Sequence, residues 1–154
     1  MENLTVVTRD NFDEYEDKGR NIFQGWCFGR PFCVVNRFSK EKYAQWDVSY
    51  RWTTDNTPII GEIKVRNMDH NTYQTAYLQA DKLKALRDLK GTSDAEIHYI
   101  CIYNDKLLIW DLTNLDTSKL MRDEQQLPIT TADGNKETKL KVIYHLNIKD
   151  VLKH

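Results

Sequence analysis

The sequence predicts an α/β (α+β) fold in which helices cover both faces of a central mixed sheet. Residues 45–66 alternate polar and apolar side chains with the period of two that is typical of strands. Residues 72–90 contain no glycine or proline and are rich in helix-forming residue types. Residues 97–103 are almost continuously apolar, as in a central strand that is buried on both faces. Together these stretches predict helices packed against a layered sheet.

The first element predicted along the chain is a helix over Asn11–Gly25. Its apolar side chains recur at helical spacing and are Phe12, Tyr15, Ile22, Phe23 and Trp26. Glu16 borders this apolar stripe when positions are projected at about 100° per residue. A solvated helix acid is the simpler interpretation of Glu16, and an acid that faces a functional site is the other.

The alternating stretch 45–66 is predicted to be a hairpin that turns at Asp55–Asn56. Both turn residues tolerate the left-handed backbone that tight hairpins require. With that turn centre, Asp47 lies opposite Lys64 and diagonal to Glu62, roughly 7–8 Å apart at the backbone. Two carboxylates at this distance can bind one divalent cation, with a lysine ammonium beside them. A register slip of one residue would move Glu62 and Lys64 to the other face.

Residues Thr72–Lys90 are predicted to form one helix that ends at Gly91. Its polar positions at helical spacing are Thr72, Thr75, Gln79 and Lys82. A helix packed across the polar side of the sheet would direct Gln79 and Lys82 toward the two carboxylates. A surface glutamine is an equally good interpretation of Gln79.

The remaining elements are predicted with less detail. The apolar run 97–103 is followed by a turn at Asn104–Asp105 and a second strand. The predicted elements are that second strand over Lys106–Leu112, a short helix over Asp116–Gln126, a late strand over Leu140–Leu146 and a short helix over Asn147–His154.

The composition predicts one domain over residues 1–154, with 40% hydrophobic and 29% charged residues. No long apolar window and no secretory signal are visible, so a cytoplasmic protein without a membrane segment is expected. Cys27 and Cys33 could pair, but buried thiols in a reducing cytosol are the preferred expectation. The four histidines are scattered along the chain, so no zinc site is expected.

The charge is unevenly distributed although the net charge is only −1. Residues 18–66 hold nine basic and four acidic side chains, an excess that could follow a phosphate backbone. Ordinary solvated lysines and arginines explain the same numbers equally well. The sequence has no glycine-rich phosphate loop, no G-x-S-x-G elbow and no H-E-x-x-H pair, which excludes the usual motifs of nucleotide hydrolases, serine hydrolases and zinc proteases.

Asp47, fourteen intervening residues and then Glu62-Ile63-Lys64 resemble the active-site signature of the PD-(D/E)XK nuclease superfamily. The order of predicted elements from about Asn11 to Leu112 is also similar to that superfamily. The resemblance implies a restriction-endonuclease-like core and a small nuclease of phage or bacterial type. It further implies hydrolysis of DNA phosphodiester bonds with Mg²⁺ or Mn²⁺ as the metal.

The resemblance also implies roles for individual residues. Asp47, Glu62 and the main-chain carbonyl of Ile63 would bind the metal, and Lys64 would assist the attacking water. Gln79 would contact the substrate or position that water. Weaker expectations are that Arg51, Arg66 and Lys82 contact substrate phosphates and that Glu16 is the acid which superfamily members often carry on the first helix.

The expected partner is DNA, whose form the sequence does not specify, and small members of the superfamily often act as homodimers. Endonuclease and exonuclease activity both fit the motif. One alternative is a catalytically inactive nuclease-like module that binds nucleic acid or a protein partner. Another is a surface hairpin whose charged residues form only cross-strand ion pairs, each worth well under ~1 kcal/mol.

Overall fold

The computed structural model describes residues 9–40, 44–129 and 137–153, with side chains in the first helix described from residue 16 onward. The helices and strands in chain order are α1 (Arg9–Phe28), β1 (Cys33–Phe38), β2 (Val48–Trp52), β3 (Ile59–Val65), β4 (Thr75–Gln79), α2 (Ala80–Lys90), β5 (Glu96–Ile102), β6 (Leu107–Asp111), β7 (Met121–Pro128) and β8 (Thr138–Asn147). Short 3-10 helices lie at Thr117–Lys119 and Ile148–Asp150.

Five strands form the central sheet in the order β1-β2-β3-β5-β6. Neighbouring strands are antiparallel except for β3 and β5, which are parallel. A second, antiparallel sheet has the order β4-β8-β7. The prediction of a central mixed sheet with helices on both faces is confirmed, because α1 and α2 pack against opposite faces.

The α1 face of the central sheet is apolar and tightly packed. Phe23 of α1 is fully buried against Val48, Tyr50 and Ile100. Gly19 permits the close approach of α1 to β3, since a Cβ there would lie 2.9 Å from a methyl group of Val65. The helix runs Arg9–Phe28 and is longer than predicted at both ends, and the side chains of Phe12 and Tyr15 lie outside the described part of the chain.

The opposite face of the central sheet packs against α2 and the second sheet. Leu83 and Leu86 of α2 are buried with Tyr99 and Trp110 of the central sheet. Leu78 of β4 belongs to the same apolar cluster. This layer places the start of α2 above the polar residues of β3.

The predicted helix over Thr72–Lys90 is wrong in its first part, because Thr75–Gln79 forms β4. These residues pair with β8, and their burial alternates, with Leu78 buried and Tyr77 exposed. Strand pairing at a distance therefore overrides the local helix propensity. Helix α2 begins only after Gln79 and ends at Gly91, whose φ of 54° suits a residue without Cβ.

The predicted register of the first hairpin is wrong by two residues. Val48 pairs with Gly61, so Asp47 lies across from Glu62 rather than from Lys64. The turn is longer than the predicted two residues, because the Asp55 carboxylate accepts hydrogen bonds from the Thr57 amide at 2.9 Å and from its hydroxyl at 2.7 Å. A shift of two residues keeps every side chain on its predicted face.

The expectation that Cys27 and Cys33 are free thiols is wrong in this structure. They form a disulfide with a Cα–Cα distance of 5.2 Å, and it joins the end of α1 to the start of β1. The turn after Phe28 brings the two residues together, which the spacing alone left open. Cys101 is a buried free thiol.

The helix predicted over Asp116–Gln126 is also wrong. Only Thr117–Lys119 is helical, and the following residues form β7, which pairs with β8 along its length. The predicted terminal helix reduces to the turn Ile148–Asp150, with His154 outside the described residues. No helix in the described residues is long and apolar enough to cross a bilayer.

Candidate active site

Asp47 lies one residue before β2 and is held by three backbone contacts. Its amide donates to the carbonyl of Gly61 at 2.8 Å, and its carbonyl accepts from the amide of Ser39 at 2.9 Å. Its Oδ2 accepts from the amide of Ile63 at 2.8 Å. The β2–β3 pairing ends at Val48 and Gly61, so no backbone carbonyl of β2 is paired with the amide of Ile63. The Asp47 carboxylate accepts that hydrogen bond instead.

Glu62 lies across from Asp47 on β3 and is only 6% exposed. Burial and the negative charge of Asp47 together raise the pKa of Glu62 to about 8, although the positive charges of Lys82 and Lys64 oppose the rise. A hydrogen bond between the two side chains also favours the protonated form of Glu62. Near neutral pH, the protonated form of Glu62 is therefore favoured.

Cationic side chains from three elements surround this pair of acids. Lys82 of α2 places Nζ 3.4 Å from Oε1 of Glu62, and Lys64 follows Glu62 on the same face of β3. Arg20 of α1 lies 3.7 Å from Oδ1 of Asp47. Cations on several sides of a carboxyl pair fit a site at which phosphate charge must be neutralised.

The backbone of Ile63 lies at the same strand edge as Asp47. In an extended strand, the amide and carbonyl of one residue point toward the same neighbouring strand. Since the Ile63 amide bonds to Asp47, its carbonyl points toward the same side, beyond the end of β2. Three oxygen donors, from Asp47, Glu62 and Ile63, thus come from neighbouring strand positions.

Gln79 lies at the end of β4, immediately before α2. Its Oε1 accepts from Nζ of Lys141 at 3.1 Å, and Lys141 also lies 3.8 Å from Asp81. This contact directs Gln79 toward β8. Lys82, one turn further along the chain, is the α2 residue that contacts Glu62.

The two predicted substrate-binding arginines have different surroundings. Arg66 donates to the hydroxyl of Tyr99 at 2.9 Å and to the carbonyl of Tyr77 at 3.2 Å, so its guanidinium contacts are within the protein. Arg51 is half-buried on β2, at a position paired with Val34 of β1.

Arg20 is the residue near the acids that the sequence did not single out. It donates to the carbonyl of Ser39 at 2.7 Å besides contacting Asp47. The sequence pointed to Glu16, which is half-buried on α1. Residues four apart share one face of a helix. The spacing of Arg20 from Glu16 could therefore have identified Arg20 as a residue on the same face of α1.

The opposite face of the sheet holds a second group of ligand-type side chains, Glu96, His98 and Asp111. One oxygen or nitrogen atom from each lies within 4.8 Å of the others. Burial lowers the pKa of His98 to about 4, so its imidazole is neutral near pH 7. Burial raises the pKa of Glu96, and the charge of Asp111 raises it further. The sequence reasoning missed this group.

Comparison with known proteins identifies the fold. No family model matches the sequence, and no curated protein sequence matches it. The chain is similar to the solved structure of Hjc, a Holliday junction resolvase from the archaeal hyperthermophile Archaeoglobus fulgidus, with a TM-score of 0.55 and 12% identity. The alignment covers 90% of this chain and 90% of that chain. At this identity the likeness shows the fold, and the chain therefore has a resolvase-like, restriction-endonuclease-like architecture.

Proposed function

We propose that this chain is a metal-dependent nuclease that hydrolyses DNA phosphodiester bonds and belongs to the PD-(D/E)XK superfamily. The observation that carries the proposal is the position of Asp47 directly across from buried Glu62, with Nζ of Lys82 3.4 Å from Oε1 of Glu62. A buried pair of acids is unfavourable unless a proton or a cation lies between them. A divalent cation can replace the proton that Glu62 holds, so the residues fit Mg²⁺ or Mn²⁺, which prefer oxygen ligands.

Each residue then has a role that follows from its position. Asp47, Glu62 and the carbonyl of Ile63 would hold the metal, which when bound supplies Lewis-acid stabilisation of charge on the phosphoryl oxygens. Lys64 orients the attacking water and helps to remove its proton. Lys82, whose Nζ lies 3.4 Å from Oε1 of Glu62, would stabilise negative charge that develops on the phosphate.

The similarity to Hjc supports DNA as the substrate class and makes four-way junctions one substrate to test. A homodimer and a cytoplasmic location complete the proposal. Gln79 and Arg51 remain predicted substrate contacts. Arg66 is a weaker candidate for that role, since its guanidinium already contacts Tyr99 and Tyr77.

The test is a cleavage assay on plasmid, linear, single-stranded and four-way-junction DNA, with and without Mg²⁺ or Mn²⁺. We expect cation-dependent cleavage by the wild-type chain and none by Glu62→Gln. Asp55→Asn is the matched control, because Asp55 is an exposed acid whose Oδ1 remains available to Thr57. DNA that is retained but never cut would favour the inactive binding module. If the DNA is neither cut nor retained, both proposed functions are overturned.

A further inference from the structure

We propose that Glu96, His98 and Asp111 form a second metal site, which binds a divalent first-row transition ion such as Zn²⁺. The site lies on the α1 face of the sheet, whereas Asp47 and Glu62 lie on the α2 side. Glu96 and His98 come from β5, and Asp111 is the β6 residue that pairs with His98. The strand register therefore places the three side chains on one face.

The unpartnered nitrogen of His98 is the observation that points to a ligand. His98 is 1% exposed, and its Nε2 has no hydrogen-bond partner among the described residues. Oδ1 of Asp111 lies 3.9 Å from this nitrogen, which is beyond hydrogen-bond distance. A buried polar atom without a partner is costly, and a metal ion would satisfy it.

The other ring nitrogen of His98 is already held in the way that metal-binding imidazoles require. Nδ1 shares a hydrogen bond with the hydroxyl of Tyr50, a fully buried residue of β2. Such an outer partner fixes the ring orientation and leaves Nε2 for the ion. The Asp111 side chain is likewise held, since its Oδ1 accepts from the amide of Thr113 at 2.9 Å.

The donor set indicates the class of ion. One imidazole and two carboxylates suit Zn²⁺ or Mn²⁺ better than Mg²⁺, which prefers oxygen ligands alone. The ligand atoms lie within 4.8 Å of one another, so shifts of about 1 Å would bring them to the ~2.0–2.2 Å coordination distances of zinc. The Asp111 side chain is 33% exposed and provides a path for the ion from solvent.

The bound ion would tie β5 to β6 and, through His98, to Tyr50 of β2. The role is structural, because the ion would join neighbouring strands of the central sheet. The charges that raise the pKa of Glu96 come from Asp111 and Asp55. An ion here would relieve that repulsion and stabilise the folded state in proportion to its occupancy.

The experiment uses the tag-free full chain with Asp47→Asn and Glu62→Gln, so that the first acidic pair cannot bind metal. Co²⁺ binding is measured by equilibrium dialysis and by its d–d absorption, and Zn²⁺ is tested by competition. We expect one bound ion per chain and a higher Tm with the ion. Adding Glu96→Gln or Asp111→Asn should lower Co²⁺ affinity at least tenfold and remove the Tm shift.

Asp94→Asn is the matched control, because Asp94 is an exposed acid two residues before Glu96. Asp111→Asn keeps the oxygen that accepts from Thr113, so the turn after β6 can form in the variant. Binding that is unchanged in Glu96→Gln and Asp111→Asn would overturn the site, as would the absence of binding in the double-variant background. Neither result would bear on cleavage by the wild-type chain.

Discussion

Two groups of acidic side chains lie on opposite faces of one sheet, and the charged residues around them differ in the sign of their charge. Asp47 and Glu62 are near Lys64, Lys82 and Arg20, which come from three different elements. In the second group, Glu96, His98 and Asp111, the negative charges of Asp111 and Asp55 raise the pKa of Glu96. His98 shares a hydrogen bond with Tyr50. In each group burial raises the pKa of one acid, Glu62 in the first and Glu96 in the second.

This difference in charge fits the proposal that the first group hydrolyses phosphodiesters and the second group keeps a metal ion bound. Cations around the first pair can neutralise a phosphate that arrives with a weakly held Mg²⁺, which keeps several waters. The second group has an imidazole and a fixed outer hydrogen bond, which favour an ion that stays bound. The same physical feature, a pair of acids close together, thus fits two different proposed functions, and the neighbouring residues distinguish them.

Substituting the first pair should have the largest effect. Asp47→Asn or Glu62→Gln should reduce cleavage at least ~100-fold, since Lewis-acid stabilisation is worth several kcal/mol and each ~1.4 kcal/mol is tenfold in rate. Initial rates on the preferred DNA substrate measure the effect, with Asp55→Asn as the control. Near-wild-type rates in Glu62→Gln would contradict the proposal that the first group, and not the second, is the site of cleavage.

The disulfide should contribute the next largest effect, on the face that carries His98. Changing Cys27 and Cys33 to serine should lower the free energy of unfolding by about 2 kcal/mol, as expected for closing a short loop in the unfolded chain. Urea unfolding with and without reductant measures it. Reductant should lower the stability of the wild-type chain and leave the double serine variant unchanged; equal stability of all samples would contradict the prediction.

Lys82 should control the pH at which the first pair works. Its positive charge lowers the pKa of Glu62, so Lys82→Met should raise that pKa and move the rise of cleavage with pH upward. A shift of one pKa unit would lower the rate near pH 7 about tenfold. Lys84→Met is the control on the same helix, since Lys84 is 78% exposed and pairs with Asp88. Identical pH profiles for the two variants would argue against this role.

The smallest expected effect is on the stability of the metal-free chain. The pKa of Glu62 is about 8 when folded and near 4.5 when unfolded, so the folded chain binds the extra proton between these values. Its contribution to stability is complete below the lower value and is lost as pH rises through the higher one. Glu62→Gln should therefore gain in Tm over the wild type as pH rises from 5 to 9, by about 2–4 °C for each kcal/mol that the wild type loses.

Thermal unfolding in the presence of a chelator measures this difference. Lys84→Met serves again as a control whose Tm difference from the wild type should not change across that pH range. A Tm difference between Glu62→Gln and the wild type that stays constant with pH would show that Glu62 does not hold its proton in the folded chain.

The two hairpins show how far sequence reasoning reached. A turn centred at Asn104–Asp105 was predicted, and that centre pairs His98 with Asp111 as observed. A turn centred at Asp55–Asn56 was predicted too, but the side chain of Asp55 bonds to Thr57 and lengthens that connection. Local turn chemistry thus located one turn correctly and missed the register of the other hairpin by two residues.

The residues Thr75–Gln79 illustrate the other limit. Their composition is compatible with a helix, but β8 lies more than sixty residues further along the chain and pairs with them. The pairing partner cannot be found from a local window. For the same reason, Gln79 was expected to face the acids on a helix and instead bonds to Lys141 of β8.

The sequence by itself determined the mixed sheet, the two faces of β2 and β3 and the position of Glu62 and Lys64 on the same side of β3. These features follow from side-chain periodicity, which is a local property of the chain. Tertiary structure alone decided that Arg20 approaches the acids from α1 and that Glu96, His98 and Asp111 come together on the opposite face. Contacts between distant segments depend on how whole elements pack, and no local spacing encodes that packing.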